Sequence, residues 1–372
     1  MSRILRCLLA WLLCVSTAAA VPTVNPKDHG ALGNGTANDT AALQQAVDAV
    51  AGSGGTLLVP PGVYLIDAKI GLALKSQMTL TLDTGATLRA IPNALDHSRV
   101  ISVSDVESVN ILGGTIEGER EQHQGTTGEW GNGIEIRNSK QIRVEGVTVS
   151  SCWGDGLYIG GKSENITISK VTADKNRRQG LSITSASDVV VQESIFRNTQ
   201  GTAPECGVDL EPNTGETVAK CQILNCQFFA NAGGGLQVGP SNADRGKAFV
   251  TGFVAAGNLF SGNGTSEPPN YTVQIVNCDG AVVRNNRLTG NIGIGIGVLD
   301  STETTVTGNT VQRTRLTSNR SDAGILLGKE TGTVCKDNIV TGNDGYGIFL
   351  WKSESVVSEN TVTGNKKGQV KR

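Results

Sequence analysis

The strongest constraint on this chain is a four-residue phrase that recurs through most of its length: glycine, an apolar residue, a variable residue and an apolar residue. A clear copy is Gly133-Ile134-Glu135-Ile136, and the shortest units repeat every 22 to 24 residues. In a strand, alternate side chains point to opposite faces, so the apolar pair faces one side and the variable residue the other. A repeat of this length predicts an all-β solenoid, a parallel β-helix in which each coil packs only against its neighbours. Further copies begin at Gly156, Gly180, Gly207, Gly235, Thr272, Gly293, Gly324 and Gly347.

A second column of residues supports the same register. Asparagine and glycine return together at fixed offsets, as in the segment from Asn286 to Asn291. Both residue types adopt left-handed turn conformations, and we expect asparagines stacked coil on coil to form hydrogen-bonded ladders. Leucine-rich repeats have units of similar length, but they need a fixed leucine pattern and helical segments, which this sequence lacks. Equivalent pairs are Asn258 and Asn263, Asn338 and Asn343, and Asn360 and Asn365.

The first residues of the chain predict a secretory signal, residues 1–20. Arg3 and Arg6 supply its charged start, residues 8–15 its apolar centre and residues 18–20 a small-residue cleavage site. A membrane anchor is the alternative, but the apolar run is too short to span a bilayer. We therefore expect a secreted or periplasmic protein without membrane insertion.

The charge and the cysteines narrow the possible partners. Without Arg3 and Arg6 the chain has 30 basic and 34 acidic residues, a net charge of −4, which does not favour nucleic acid. The cysteines beyond the signal show no metal-ligand spacing, so we expect no metal site. They indicate buried thiols, with one or two disulfides as the alternative. These are Cys152, Cys206, Cys221, Cys226, Cys278 and Cys335.

One substantial helix is expected near the amino terminus. Apolar residues recur at helical spacing between residues 43 and 50, after Asn38 or Asp39 as the N-cap. The glycine-rich run 52–55 follows and ends the helix.

This part of the sequence resembles a known family. Residues 30–35, 39–42 and 60–64 resemble the entry segment of the pectate lyase superfamily, which includes polygalacturonase-type β-helix enzymes and phage tailspikes. Residues 113–118 also resemble a polygalacturonase phrase that precedes a cleft-lining loop. The resemblance implies a right-handed single-stranded parallel β-helix over residues 21–372, with the short helix capping its amino-terminal end.

Alignment of the repeated phrase predicts one outward column of polar residues in the middle of the solenoid. Asp209 and Glu211 are two residues apart on one strand, so their Cα atoms lie roughly 6.6 Å apart on its outward face. Like charges this close favour a bound cation or substrate, although two solvated carboxylates are the alternative. Tyr158, Glu135 and Gln237 are expected to contact the substrate from the same column. The column contains Glu135, Tyr158, Ser182, Asp209, Gln237 and Gln274.

Other candidates lie in the loops that enter these strands. Arg177 and Arg178 precede the strand beside Asp209, where arginine forks would bind the carboxylates of an acidic sugar. An exposed turn is the alternative for both arginines. Trp153 and Trp130 either stack on sugar rings or cover a turn.

Asp155 and its neighbours connect the column to polygalacturonases. The phrase that ends in Asp155-Gly156 resembles the first aspartate of the polygalacturonase Asn-Thr-Asp motif, which implies a catalytic role. The chain departs from that family at Tyr158, Gln179 and Ser182, where further aspartates are usual, and it lacks the His-Gly and Arg-x-Lys motifs. His123 lies in a segment that we expect to form a flexible lip over the cleft.

These observations favour an exported glycoside hydrolase that acts on an acidic, uronate-containing polysaccharide through Asp209, Glu211 and Asp155. The spacing of the two carboxylates favours an inverting reaction. One alternative is a polysaccharide lyase or uronate epimerase in which Arg178 abstracts a proton and Ca²⁺ or arginine neutralises the sugar carboxylate. Another is a non-catalytic carbohydrate-binding or adhesive β-helix. No cofactor is expected outside the lyase alternative. The last coil has no cap in the sequence, so its cover by another chain in an oligomer is a further hypothesis.

Overall fold

The computed structural model describes residues 21–241, 246–247, 249–265, 271–315 and 322–372. Within them the strands form three parallel sheets, and neighbouring strands of each sheet come from successive coils of the chain. This arrangement is the predicted parallel β-helix. The expected signal sequence lies outside the described residues.

Each sheet runs the length of the solenoid. The first sheet contains, in order, Thr23–Val24, Thr56–Val59, Met78–Leu82, Glu107–Leu112, Lys140–Glu145, Ser163–Ser169, Ala186–Gln192, Thr217–Leu224, Val254–Ala256, Val282–Arg284, Thr305–Thr307, Val334–Lys336 and Val356–Ser358, with Phe249–Thr251 and Cys278–Asp279 paired beside them. The second contains Asn34–Asn38, Gly62–Ile66, Ala86–Ala90, Thr115–Glu117, Thr148–Ser150, Thr172–Asp174, Ile195–Arg197, Gln227–Phe229, Leu259–Ser261, Arg287–Thr289, Thr310–Gln312, Ile339–Thr341 and Thr361–Thr363. The third contains Leu72–Ala73, His97–Ser104, Trp130–Arg137, Leu157–Gly160, Leu181–Ile183, Val208–Leu210, Leu236–Val238, Tyr271–Val276, Ile294–Leu299, Ala323–Gly328, Tyr346–Trp351 and Gly368–Lys371.

The α-helix spans Thr40–Val50 and begins where the sequence predicted. Asp39 occupies the N-cap position, while the Asn38 side chain accepts the amide of Thr40 over 3.1 Å. The buried face of the helix packs against strands at the amino-terminal end of all three sheets, in agreement with a cap. Short 3₁₀ helices span Pro26–His29 and Arg120–Gln122.

The apolar positions of the repeated phrase form the core. Five of them pair in register from coil to coil and are fully buried: Ile134, Leu157, Leu181, Val208 and Leu236. Close packing between coils requires the glycine that opens the phrase, as Gly207 shows. A Cβ atom there would lie 2.7 Å from both the carbonyl oxygen of Gly235 and the ring of Phe228. The predicted register is therefore confirmed.

Polar and aromatic ladders reinforce the coils. Asn286 donates from Nδ2 to Oδ1 of Asn309 over 3.0 Å, and Asn309 donates to Asn338 in the same way. The ring of Phe228 stacks between those of Phe196 and Phe260, with centroid distances of 5.4 and 4.5 Å. These ladders bear out the side-chain stacking predicted from the asparagine column.

The cysteines are buried free thiols, as the first of the two alternatives predicted: Cys152, Cys206, Cys221, Cys226, Cys278 and Cys335. Burial raises the pKa of these thiols, so they remain neutral core residues. Among the described residues no helix has the length and apolar character needed to cross a bilayer.

Candidate functional site

The predicted polar column exists on the outward side of the third sheet. Ser182 pairs with Asp209 and Asp209 with Gln237, and the same register continues to the other members of the column. Loops that enter these strands fold back over the column and decide which members reach solvent. In the loop before Leu181–Ile183, the amide of Arg178 donates to the carbonyl of Gly154 over 3.1 Å, which fixes the backbone from which the arginine side chain extends.

Arg178 gathers acidic side chains from three different coils. Its Nη1 lies 2.8 Å from Oε1 of Glu211, and its Nη2 donates to Oε2 of the same residue over 2.9 Å. The same Nη1 lies 3.3 Å from Oδ2 of Asp155, and Nε lies 3.3 Å from Oε2 of Glu129. The two-pronged contact with Glu211 is the geometry in which arginine binds a carboxylate best. One guanidinium therefore joins three carboxyl groups.

Asp209 lies beneath this cluster and is buried, so it is not the solvated carboxylate that was the alternative interpretation at this position. The residue is fully buried because side chains of the preceding loop and the next strand cover the outward face of its strand. Gln179 and Gln237 donate from Nε2 to its Oδ2 over 2.9 and 3.3 Å. Its Oδ1 is buried without a hydrogen-bond partner among the described residues. A buried carboxyl oxygen of this kind is rare and costly.

The orientation of the Gln179 amide is fixed independently. Its Oε1 accepts the backbone amide of Cys206 over 2.9 Å, so its Nε2 must face Asp209. Oδ2 of Asp209 is thus the oxygen that accepts hydrogen bonds. In the neutral form of the acid, the proton belongs on the other oxygen, Oδ1.

Burial and neighbouring charges change the proton affinities at this site. Burial raises the pKa of Asp155 to about 7, against the Arg178 guanidinium, which lowers it, and with the Glu211 charge, which raises it further. Burial, followed by the charge of Glu211, raises the pKa of Asp209 well above its usual range. Burial alone would lower the pKa of Arg178, but the surrounding carboxylates raise it. Burial and the Glu211 charge therefore favour the protonated forms of both aspartates, while the carboxylates favour the charged form of the arginine.

Glu211 is the member of the predicted catalytic set that reaches solvent. Its side chain is 23% exposed, whereas those of Asp155 and Asp209 are buried. Glu129, which sequence reasoning missed, is more exposed and pairs with Arg178 from the opposite loop. In the sequence, the one signal for a functional role of Glu129 is its position immediately before Trp130–Arg137, a strand of the third sheet.

A second cluster surrounds Glu135, which is buried rather than free to contact a substrate as predicted. His97 and Asn132 share its Oε2 over 3.1 and 3.0 Å. Arg137 donates from Nε to Oε1 over 3.0 Å. These contacts lower the pKa of Glu135 although burial opposes them. Glu135 thus orients the side chains that lie above it.

Tyr158 lies between the two clusters. Its hydroxyl is 2.8 Å from Oγ1 of Thr184 and receives Nη1 of Arg137 over 3.3 Å. The Arg137 guanidinium lies 4.2 Å from the centre of the tyrosine ring. Tyr158 remains partly exposed, which agrees with its predicted position in the cleft.

The loop that we expected to be a flexible lip is attached to the sheet. The side chain of His123 is buried, and its Nδ1 lies 2.9 Å from Oε1 of Glu119. Its ring stacks on Trp153 with a centroid distance of 3.8 Å. Arg177 lies 3.9 Å from the Trp153 ring and donates to the carbonyls of Gly128 and Trp153. Trp153 and Arg177 therefore fasten the loop, and for Trp153 this corresponds to the second of its two predicted alternatives, the cover of a turn. Their ring and guanidinium surfaces are used within the protein.

The cleft continues on the other side of Asp209. A pocket of about 210 Å³ there is lined by Gln237, Gln274 and the turn at Gly239 and Pro240. Gln237, which the sequence predicts to contact the substrate, is part of its lining. Within the described residues, no three His, Cys, Asp or Glu side chains are arranged to hold a metal ion.

Known proteins with similar sequences include enzymes that act on polysaccharides. Protein YclG of Bacillus subtilis (strain 168) is 25% identical over 91% of this chain and 58% of its own length. Mannuronan C5-epimerase AlgE5 of Azotobacter vinelandii is 26% identical over 64% of this chain and 25% of its own length. Exo-poly-α-D-galacturonosidase of Dickeya chrysanthemi is 46% identical over 83 residues, which are 22% of this chain and 13% of that enzyme. The chain thus spans less than two thirds of these relatives.

Solved structures and a family match agree on the architecture. PfbA, a surface adhesin of Streptococcus pneumoniae, superposes with a TM-score of 0.68 at 18% identity, over 93% of this chain and 91% of that one. The A-module of the Azotobacter vinelandii epimerase AlgE6 gives 0.65 at 17% identity, over 93% and 98%. Such identities show the fold alone. The family described as right-handed beta helix region matches residues 97–250 and 246–371, and the chain therefore belongs to this right-handed β-helix family.

Proposed function

We propose that this protein is a glycoside hydrolase that acts on a uronate-containing polysaccharide. The observation that carries the proposal is the buried carboxyl group of Asp209. Gln179 and Gln237 fill its Oδ2, while its Oδ1 has no partner among the described residues. A neutral carboxyl group with an uncommitted O–H is what general-acid catalysis requires.

Glu211 is the candidate for the second role in glycoside hydrolysis, that of the general base which activates water. Its side chain is partly exposed, and Arg178 holds both of its oxygens. In the proposed reaction, Oδ1 of Asp209 gives its proton to the glycosidic oxygen as the C–O bond breaks. Glu211 takes a proton from the water that attacks the sugar carbon from the opposite face. A general acid and a separate general base that activates water define an inverting mechanism.

Asp155 and Arg178 act through these groups as positioning residues. Arg178 fixes Glu211, and Asp155 lies on the other side of the guanidinium, where burial raises its pKa to about 7. The substrate reaches Asp209 only after the side chains above it move, so binding and exposure of the acid are coupled. Catalytic hydrogen bonds are often poorly aligned in a free enzyme and reach their working geometry only when the substrate binds.

The chemistry of the relatives supports an acidic substrate. Two of them are named for mannuronan and for poly-α-D-galacturonoside, and both are polymers of uronic acids. Their partial coverage of this chain leaves the choice of polymer to experiment.

Uronate epimerisation is the second candidate, because the similarity to AlgE5 extends over 64% of this chain. The predicted arginine base does not suit it. Carboxylates raise the pKa of Arg178, so this side chain does not release a proton to become a base. The same guanidinium occupies the space between Asp155 and Glu211, so these carboxylates do not fit a Ca²⁺ site, which needs several free oxygen ligands.

Product analysis on polygalacturonate and mannuronan tests the proposal. A hydrolase gives new reducing ends without ultraviolet absorbance, a lyase gives an unsaturated product, and an epimerase changes the sugar without cutting the chain. Asp209→Asn should abolish the reducing ends, whereas Asp188→Asn, at an exposed carboxylate on the first sheet, should not. Retention of either polymer without any product would instead identify a binding protein.

A further inference from the structure

The cluster around Glu135 contains more positive charge than its carboxylate can neutralise. Arg137 and Arg99 approach Oε1 of Glu135, the first over 3.0 Å and the second over 3.6 Å. His97 approaches Oε2 over 3.1 Å. Two guanidinium groups and an imidazole thus face one carboxylate, and the sum is positive whichever form the imidazole takes.

The hydrogen-bond capacity of these cations is only partly used. The Nε of Arg99 is buried without a hydrogen-bond partner, since its distance to Glu135 is too long for one. Arg137 uses Nε for Glu135 and Nη1 for Tyr158. No hydrogen bond of its Nη2 is found within the described residues. A buried guanidinium nitrogen without a partner, such as Nε of Arg99, is unusual. The planar fork of a partly exposed arginine suits a carboxylate.

The two arginines and the histidine are open to the cleft. The side chains of His97, Arg99 and Arg137 are 45%, 26% and 37% exposed. Trp130 pairs in register with His97, and its side chain belongs to the exposed apolar residues at 50%. An exposed indole beside a cationic group provides an apolar surface for a sugar ring next to a site for its carboxylate.

Charge changes sign along the column. Around Arg178 the carboxylates of Glu129 and Glu211 outnumber the single arginine even when Asp155 and Asp209 are protonated, whereas two arginines face one carboxylate around Glu135. Glu135 and Asp209 are separated by Tyr158 and Ser182 in the register, which corresponds to roughly 14 Å along the sheet. The cationic end of the cleft, around Glu135, would therefore hold a polyanionic chain. The glycosidic bond to be cut would then lie at the other end, beside Asp209.

We propose that Arg99, Arg137, His97 and Trp130 form a binding subsite for a uronate residue on the amino-terminal side of Asp209. The position of this subsite relative to the cleaved bond rests on the proposed function. The binding of a uronate residue does not. Arg99 and Arg137 bind the sugar carboxylate, Trp130 covers one face of the ring, and Glu135 fixes the cations in place. A merely structural cluster would not need exposed cations with free donors.

Binding of galacturonate and mannuronate oligosaccharides to the full chain, measured by calorimetry, tests the subsite. The experiment uses the Asp209→Asn variant so that the ligand is not consumed. Arg99→Gln and Arg137→Gln should each weaken binding of the better acidic oligosaccharide at least tenfold. The same oligosaccharide with its carboxyl groups reduced to alcohols should bind weakly and equally to all three proteins. Trp130→Ala should weaken binding of both forms.

Arg143→Gln is the matched control, since Arg143 is exposed on the first sheet and pairs with Glu145. It should leave the affinity unchanged. Arg99→Lys, which retains the charge but not the planar guanidinium, replaces Arg99→Gln in the experiment if the glutamine variant does not fold. Full affinity for the acidic ligand in folded Arg99 and Arg137 variants, or no preference of the parent protein for the acidic form, would overturn the subsite. Because the experiment measures binding, the test of the subsite stays valid even if the protein hydrolyses no polysaccharide. If the protein is a hydrolase but the arginine variants bind as tightly as the parent, the subsite is refuted and the proposed function is not.

Discussion

Gln179 donates a hydrogen bond from Nε2 to Oδ2 of Asp209 over 2.9 Å, and this contact directs the acid's proton to the opposite oxygen. The other end of the same amide is held by the backbone of Cys206, so the side chain cannot turn over without losing a hydrogen bond. A residue of the entering loop therefore sets the chemistry of a strand residue one coil away. Sequence reasoning assigned Gln179 no role beyond its departure from the polygalacturonase pattern.

Replacement of Asp209 by asparagine should lower kcat by about 10²–10⁴, the usual contribution of a general acid. The variant should fold, because asparagine keeps the volume and an oxygen for Gln179 and Gln237 while it removes a titratable group. Steady-state kinetics on the substrate found by product analysis, with circular dichroism as the folding check, measures both. A folded variant with full activity would remove Asp209 from the mechanism.

The stability of the protein should depend on pH through Asp155. Its pKa in the folded state is about 7 against an ordinary value of 3.8, so the folded state retains a proton that the unfolded state loses. The resulting stabilisation is complete below pH 3.8 and is lost as the pH rises through about 7. At about 1.4 kcal/mol per pKa unit, the total is of order 4 kcal/mol.

Asp155→Asn removes this proton equilibrium. Denaturant unfolding of the parent and the variant between pH 4 and pH 8 should show the parent losing stability relative to the variant as the pH rises. Curves that stay parallel across this range would show that Asp155 ionises normally in the folded protein.

The register could be predicted from the sequence because a strand has a period of two and each coil repeats the same phrase. This rule placed Asp209 beside Ser182 and Gln237, and the structure has these pairs. The rule does not describe loops, whose path depends on backbone conformation rather than on alternation. It therefore could not show that Arg178 folds back over Asp209, which turned an expected surface carboxylate into a buried one.

The attached loop illustrates the same limit. From the sequence, Trp153 was expected either to stack on a sugar ring or to cover a turn. His123 and Arg177 occupy its ring, and His123 comes from a loop between coils. No periodic signal relates His123 to Trp153. Arg99 and His97 were missed for a different reason, since their strand lies before the first clear copy of the phrase.

Val208→Asp should prevent folding or lower the free energy of unfolding by several kcal/mol. Val208 is fully buried between Leu181 and Leu236 in the inward file, and an aspartate there would be an unpaired charge in the core. Thr217→Asp, at an exposed strand position, is the matched control and should be near neutral. Soluble yield and thermal unfolding followed by circular dichroism measure the difference. Equal melting temperatures for the two variants would contradict the register.

Arg178→Lys separates a positioning role from a substrate clamp. Arg178 binds both oxygens of Glu211 and also contacts Asp155, and a lysine ammonium cannot reproduce this planar fork. If the arginine positions Glu211 for the reaction, the change should lower kcat at least about tenfold. If it only holds the substrate carboxylate, KM should rise instead. The shorter lysine side chain should hold its charge farther from Asp155 and lower the pKa of that carboxyl less than arginine does. The loss of stability with rising pH should then move to higher pH.

Arg177→Lys is the matched comparison within the same loop. Arg177 contacts the carbonyls of Gly128 and Trp153 and the indole ring, and no salt bridge joins it to a carboxylate within the described residues. Its replacement should loosen the loop and lower thermal stability without the shift in pH dependence expected for Arg178→Lys. Kinetics and unfolding of the two variants between pH 5 and pH 8 make the comparison. Identical effects of the two changes would show that Arg178 contributes only as part of the loop, and the carboxylate cluster would then have no special role in the reaction.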